Sequence, residues 1–138
     1  MHIVPYVSVG NLSFGDKREV ARKKLNSPFS TFRKVIGAEV TDSFDEIGLH
    51  LYYDNDDRLQ FVELFRPADV VVCGIELLDR NVDEVVGSLE MLGYAPSPTD
   101  VGFQVDDLGV ALTARNGIVE GVAAYRRGYY DEPSVEPL

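Results

Sequence analysis

Two stretches of this chain carry the same hydropathy pattern, and that recurrence limits the fold more than any single motif. Ser43-Phe44-Asp45-Glu46-Ile47-Gly48-Leu49-His50-Leu51 parallels Gly102-Phe103-Gln104-Val105-Asp106-Asp107-Leu108-Gly109-Val110-Ala111-Leu112. Each runs from a Phe through acidic residues to an aliphatic-Gly-aliphatic-x-Leu strand start. Leu59-Gln60-Phe61-Val62-Glu63-Leu64-Phe65-Arg66 then lies 60 positions before Val119-Glu120-Gly121-Val122-Ala123-Ala124-Tyr125-Arg126. A repeat of this length is one supersecondary unit used twice, each copy burying the other's apolar face.

Each copy reads as strand, helix, then three antiparallel strands. The expected fold is therefore α+β: two tandem β-α-β-β-β repeats forming an antiparallel sheet with helices on one face. Unit one covers residues 1–66 and unit two residues 67–128, sharing one core, and residues 129–138 form a flexible acidic tail. β-rich runs at residues 3–9 and 70–73 open the units. Asp16-Lys17-Arg18-Glu19 and Asn81-Val82-Asp83-Glu84 place a capping side chain three residues before a Glu, a helix-start signature. The second helix carries Val82, Val85, Val86, Leu89 and Leu92 on one stripe. The first has a thinner stripe of Val20, Ala21 and Leu25, helped by Phe14. Pro28 stops the first helix and Gly93 the second. Asn116-Gly117 predicts a two-residue hairpin turn, and Asp54-Asn55-Asp56-Asp57 a longer polar one.

Alternation assigns the faces of the sheet. Leu49, Leu51, Val62, Leu64, Val110, Leu112, Val122 and Ala124 point toward the helices. The opposite face carries His50, Tyr52, Phe61, Glu63 and Phe65 from one copy, and the smaller Ala111, Thr113, Gly121, Ala123 with Tyr125 from the other. Rings on neighbouring strands form a contiguous patch of the kind that anchors protein interfaces. The face can meet an external protein, a second copy as a homodimer, or the chain itself through residues 29–40 or the Tyr129-Tyr130 tail.

The charge is uneven. Residues 1–66 hold nine Lys/Arg and ten Asp/Glu, and residues 67–138 hold four and thirteen, for a net charge of −10. Such a surface repels nucleic acid and favours a basic partner. The basic stretch Lys17, Arg18, Arg22, Lys23, Lys24 is expected as a solvated helix face. No run approaches the ~18 apolar residues of a membrane span. Met1-His2-Ile3-Val4-Pro5 lacks a signal-peptide pattern, and a single cysteine fits a reducing compartment. A cytoplasmic location without membrane association is expected.

Reaction chemistry finds little support. Cys73 closes a Val run and reads as buried. His50 has no motif around it, the Asp54–Asp57 loop lacks calcium-loop spacing, and Asp106 and Asp107 sit at a turn. No catalytic residue, cofactor or metal is expected.

Phe14-Gly15-Asp16-Lys17-Arg18-Glu19-Val20 followed by Leu25-Asn26-Ser27-Pro28 resembles the "Phe-Gly-Met-Ser-x-Glu-Glu-Val … Leu-Gly-x-Pro" opening of small helix-plus-antiparallel-sheet domains. These include the beta-lactamase inhibitory proteins, whose tandem layout this chain is similar to, and the small lipoprotein subunit of the outer-membrane assembly machinery. Asn26 stands where that pattern has Gly, and the lipoprotein cysteine and secreted relatives' disulfides are absent. The whole chain also resembles short acidic immunity proteins of bacterial polymorphic toxins. The resemblance implies a non-enzymatic inhibitor gripping a basic, toxin-like protein through its outward sheet face. His50, Tyr52, Phe61, Glu63, Phe65, Asp106, Asp107 and Tyr125 are the expected contacts. The alternative is a small-molecule or lipid-binding module using a cleft on that face or between the repeats.

Overall fold

Among the described residues, alternating apolar residues punctuated by positive-φ turns build two sheets, accompanied by two short α-helices. The computed structural model describes residues 1–34 and 39–131. Among them the order is β1 (His2–Val4), β2 (Ser8–Val9), β3 (Leu12–Ser13), α1 (Arg18–Leu25), β4 (Ser30–Arg33), β5 (Val40–Phe44), β6 (Leu49–Tyr53) and β7 (Leu59–Leu64). There follow β8 (Val71–Val72), β9 (Ile75–Glu76), α2 (Val82–Met91), β10 (Ser97–Pro98), β11 (Gly102–Val105), β12 (Val110–Arg115) and β13 (Ile118–Tyr125). The chain is an α+β protein. Its larger sheet is antiparallel throughout, in the order β10-β11-β12-β13-β7-β6-β5-β4. Its smaller sheet, β3-β2-β1-β8-β9, contains one parallel pair, β1 with β8.

Turn chemistry explains where strands end. Asn116 (φ +53°) and Gly117 (φ +80°) form the expected two-residue turn between β12 and β13. Cys73 (φ +51°) and Gly74 (φ +79°) make the same turn between β8 and β9. That geometry corrects the expectation for Cys73. A residue at a tight hairpin tip cannot continue a buried strand, and its exposed thiol lies 3.8 Å from the Tyr94 hydroxyl. Residues 3–9 are likewise not one strand, because Tyr6 adopts φ +64° and reverses the chain between β1 and β2.

The helix stops fall where expected. Asn26 caps α1 in the left-handed conformation, and α2 ends at Leu92 before Gly93 at φ +97°. The starts differ. Asn81 Oδ1 accepts from the amides of Asp83 and Glu84, as a capping residue should. Asp16 does not cap α1: its carboxylate accepts from the Ser13 amide (2.9 Å) and Lys24 Nζ (2.8 Å), leaving Lys17 at the cap position.

One apolar cluster joins both sheets and both helices. The inward face assigned by alternation holds. Leu49, Leu51, Val62, Leu64, Val110, Leu112, Val122 and Ala124 are all at most 1% exposed. Burying side chains of this size contributes about 1.5–3 kcal/mol for each Leu or Val. α2 buries Val82, Val85 and Leu89, whereas α1 buries only Ala21, and Val20 is 40% exposed rather than packed.

What holds α1 in place is charge. Asp42 on β5 is fully buried on the inner face, and Arg22 grips both its oxygens at 2.8 and 2.7 Å. Arg18 adds a contact at 3.2 Å and reaches Asp57 at 2.8 Å, and the Tyr53 hydroxyl donates to Asp42 at 2.9 Å. The basic stretch is thus only partly a solvated face. Arg18 and Arg22 depart from that expectation because their carboxylate partner lies on a strand distant in sequence. Their guanidinium groups also lie over the rings of Tyr53 (4.0 Å) and Phe29 (4.4 Å).

Candidate functional site on the outer sheet face

The register of β4 through β7 decides which side chains meet on the outer face. His50 pairs with Glu63, Tyr52 with Phe61, and Ser43 with His50. Phe32 comes from β4, and Phe65 follows β7. The His50 imidazole is flanked by Phe32 (centroids 5.3 Å) and Phe65 (4.8 Å), both edge-on. Tyr52 meets Phe61 edge-on at 5.3 Å.

Glu63 joins these two ring groups. The Tyr52 hydroxyl donates to Glu63 Oε1 at 3.1 Å, and His50 Nδ1 lies 3.1 Å from the same oxygen. On its other side, His50 Nε2 is 3.1 Å from Asp45 Oδ1, which also accepts from the Ser43 hydroxyl at 2.7 Å. A neutral imidazole donates to one of these carboxylates and an imidazolium to both. The Ser43 hydrogen bond, then His50, holds the Asp45 carboxyl below the usual carboxylate range. Burial, reinforced by the Glu63 charge, pushes the Tyr52 hydroxyl above the ordinary phenol range. His50, Tyr52, Phe61, Glu63 and Phe65 are all half-buried, so a ring-lined, carboxylate-edged surface remains accessible.

Tyr125 departs from the expectation. Its backbone register places it beside Phe61 on the outer face, with the rings stacked at 6.2 Å. Yet it is only 3% exposed. Tyr6 covers it edge-on at 6.0 Å, Tyr130 at 4.8 Å, and Tyr129 tilts over it at 5.9 Å and over Phe61 at 5.0 Å. The frayed tail expected from residue 129 therefore begins instead as a 3-10 turn, Tyr129–Asp131, since two rings give it apolar surface to bury. Residues 132–138 lie outside the described residues. Tyr125 is a covered anchor of the chain's own end, not an exposed contact.

Asp106 and Asp107 are exposed on a 3-10 turn, Asp106–Leu108, next to this covered end. Gln104 Nε2 donates to Asp106 Oδ1 at 2.8 Å and to the Tyr125 hydroxyl at 3.4 Å, and the Tyr6 hydroxyl donates to the Asp106 carbonyl. The structure thus gathers His50, Tyr52, Phe61, Glu63 and Phe65 into one surface and ties Asp106 to Tyr125. Ala111, Thr113, Gly121 and Ala123 remain half-exposed, as small residues on that face.

Three contributors escaped sequence reasoning. Phe32 sits on a strand too short and polar to recognise by alternation. Asp45 belongs to the acidic residues before the strand start at Leu49, where nothing in the pattern marks His50 as its partner. Lys34 places its ammonium 5.2 Å above the Tyr52 ring, and nothing in its sequence context signals that contact. Among the described residues no group of three or more His, Cys, Asp or Glu side chains is arranged to hold a metal ion, and no helix is long and apolar enough to cross a membrane. No family model matches the chain, nor does any curated protein or solved structure.

Proposed function

We propose that the protein is a non-enzymatic, protein-binding inhibitor of the immunity type, acting on a basic partner through the outer face of β4–β7. The observation that carries this reading is the unbroken, half-exposed run Phe32–His50–Phe65 beside Tyr52–Phe61, edged by Asp45 and Glu63. Rings fixed on an antiparallel sheet lose little side-chain freedom on binding, which favours them as anchors. Asp45 and Glu63, with a chain charge of −10, complement a cationic surface and speed encounter with it. An inhibitor needs no reacting group of its own: covering a basic active-site rim is enough to block it.

The test compares immobilised wild type with Phe65→Ala in capturing proteins from the native host, followed by titration of the purified partner. The expected partner is basic and is released as salt rises. Its affinity should fall by about 2 kcal/mol in Phe65→Ala. Capture of the same proteins, with the same affinity, by both forms would sink the reading.

A further inference from the structure

We propose, resting on that reading, that Tyr52 and Glu63 form a receptor for one arginine or lysine side chain of the partner, and that Lys34 holds its place until the partner arrives. The ring of Tyr52 presents its face to a cation while its hydroxyl is fixed by Glu63 Oε1 at 3.1 Å. Phe61 packs edge-on against the same ring at 5.3 Å, so the ring is braced and cannot turn away. Lys34 Nζ already lies 5.2 Å over it. The chain therefore supplies its own example of the chemistry this ring accepts.

The Lys34 contact differs from the cation–ring pairs of Arg18 and Arg22. Arg18 and Arg22 are locked by Asp42 as well as by their rings. Among the described residues the Lys34 ammonium has no carboxylate within 4 Å, and the Tyr52 ring is its one specific contact. A hydrated ammonium held by a ring alone is weakly retained. An incoming guanidinium can stack on the same ring and donate to Glu63, whose side chain is 43% exposed. It gains two interactions where Lys34 makes one. Charge complementarity points the same way, because Asp45, 72% exposed, lies across His50 from Glu63.

The test needs no knowledge of the partner. The full-length protein, labelled with nitrogen-15, is titrated with N-acetyl-arginine amide at about 0.15 M salt, with N-acetyl-glutamine amide as the neutral control. The expected result is saturable amide shifts at Tyr52 and Glu63 for the arginine compound alone. Its dissociation constant should fall about threefold in Lys34→Ala, where the competing cation is gone. Lys23→Ala removes the same charge from the exposed side of α1 and should leave the constant unchanged. Glu63→Gln keeps the shape and should abolish saturation. Equal constants in wild type and Lys34→Ala, or equal shifts from the glutamine compound, would overturn the proposal. A protein partner that depends on Phe65 yet binds wild type and Lys34→Ala alike would retire the role of Lys34 while leaving the docking face intact.

Discussion

Tyr6 and Tyr125 meet edge-on with ring centroids 6.0 Å apart, although most of the chain separates them in sequence. With Tyr129 and Tyr130 they close one end of the outer face. Tyr129→Ala removes a half-buried ring that touches both Phe61 and Tyr125. It should lower stability by about 1–2 kcal/mol in urea unfolding. A cost within experimental error would show that the 3-10 turn does not hold the face closed.

Alkaline pH should destabilise the fold. Burial pushes the hydroxyls of Tyr53 and Tyr125, each 3% exposed, above the ordinary phenol range. The folded state therefore keeps protons that the unfolded chain releases near pH 10. Their contribution is complete below that pH and is lost as pH rises toward the folded-state values, at up to about 1.4 kcal/mol per pH unit per tyrosine. The Tyr53 and Tyr125 share of the tyrosinate absorbance should consequently appear in step with unfolding, read by far-ultraviolet circular dichroism. Free titration of all seven tyrosines in the folded protein would contradict this.

Asp42→Ala should cost about 3–5 kcal/mol, because it strands Arg22 and Arg18 beside a buried, vacated site. Glu84→Gln alters a pair with Arg80 at 3.6 Å between largely exposed side chains, and should change stability by less than about 0.5 kcal/mol. Denaturation midpoints of the two variants measured side by side check the contrast. Similar midpoints would mean that α1 is not held by its arginines.

Two glycines at positive φ should respond very differently to alanine. At Gly117 (φ +80°) an added Cβ meets nothing within 4 Å, so Gly117→Ala should cost about 1 kcal/mol of backbone strain. At Gly48 (φ +78°) the same atom would sit 2.0 Å from the Phe65 carbonyl oxygen. Gly48→Ala should exceed about 3 kcal/mol and shift Phe65 away from His50. Comparable unfolding midpoints for both variants would disprove the close packing at Gly48.

How much could be read in advance depended on how far each signal reaches along the chain. The Asn81 cap, the Asn116-Gly117 turn and the helix stops at Asn26 and Gly93 involve neighbours within a few residues, and all appear. The alternation that sent Leu49 and Leu51 inward and His50 and Tyr52 outward held across β6 and β7. Cys73 misled because a run of valines looks like a buried strand until the turn that ends it is known. Asp16 misled because its carboxylate had a nearer donor in Ser13.

By itself, then, the amino-acid order set the α+β class, the inward and outward faces, and the ring-bearing strand pair that brings Tyr52 to Phe61. Those follow from side-chain period and local backbone preference, which act over short distances. Only the folded chain decided that Asp42 is buried under Arg18 and Arg22, that Tyr125 is roofed by Tyr6, Tyr129 and Tyr130, and that Lys34 rests on Tyr52. Each of these joins groups from separate elements. Whether an outward residue stays open depends on which distant segment gains most by covering it, and no local pattern records that competition.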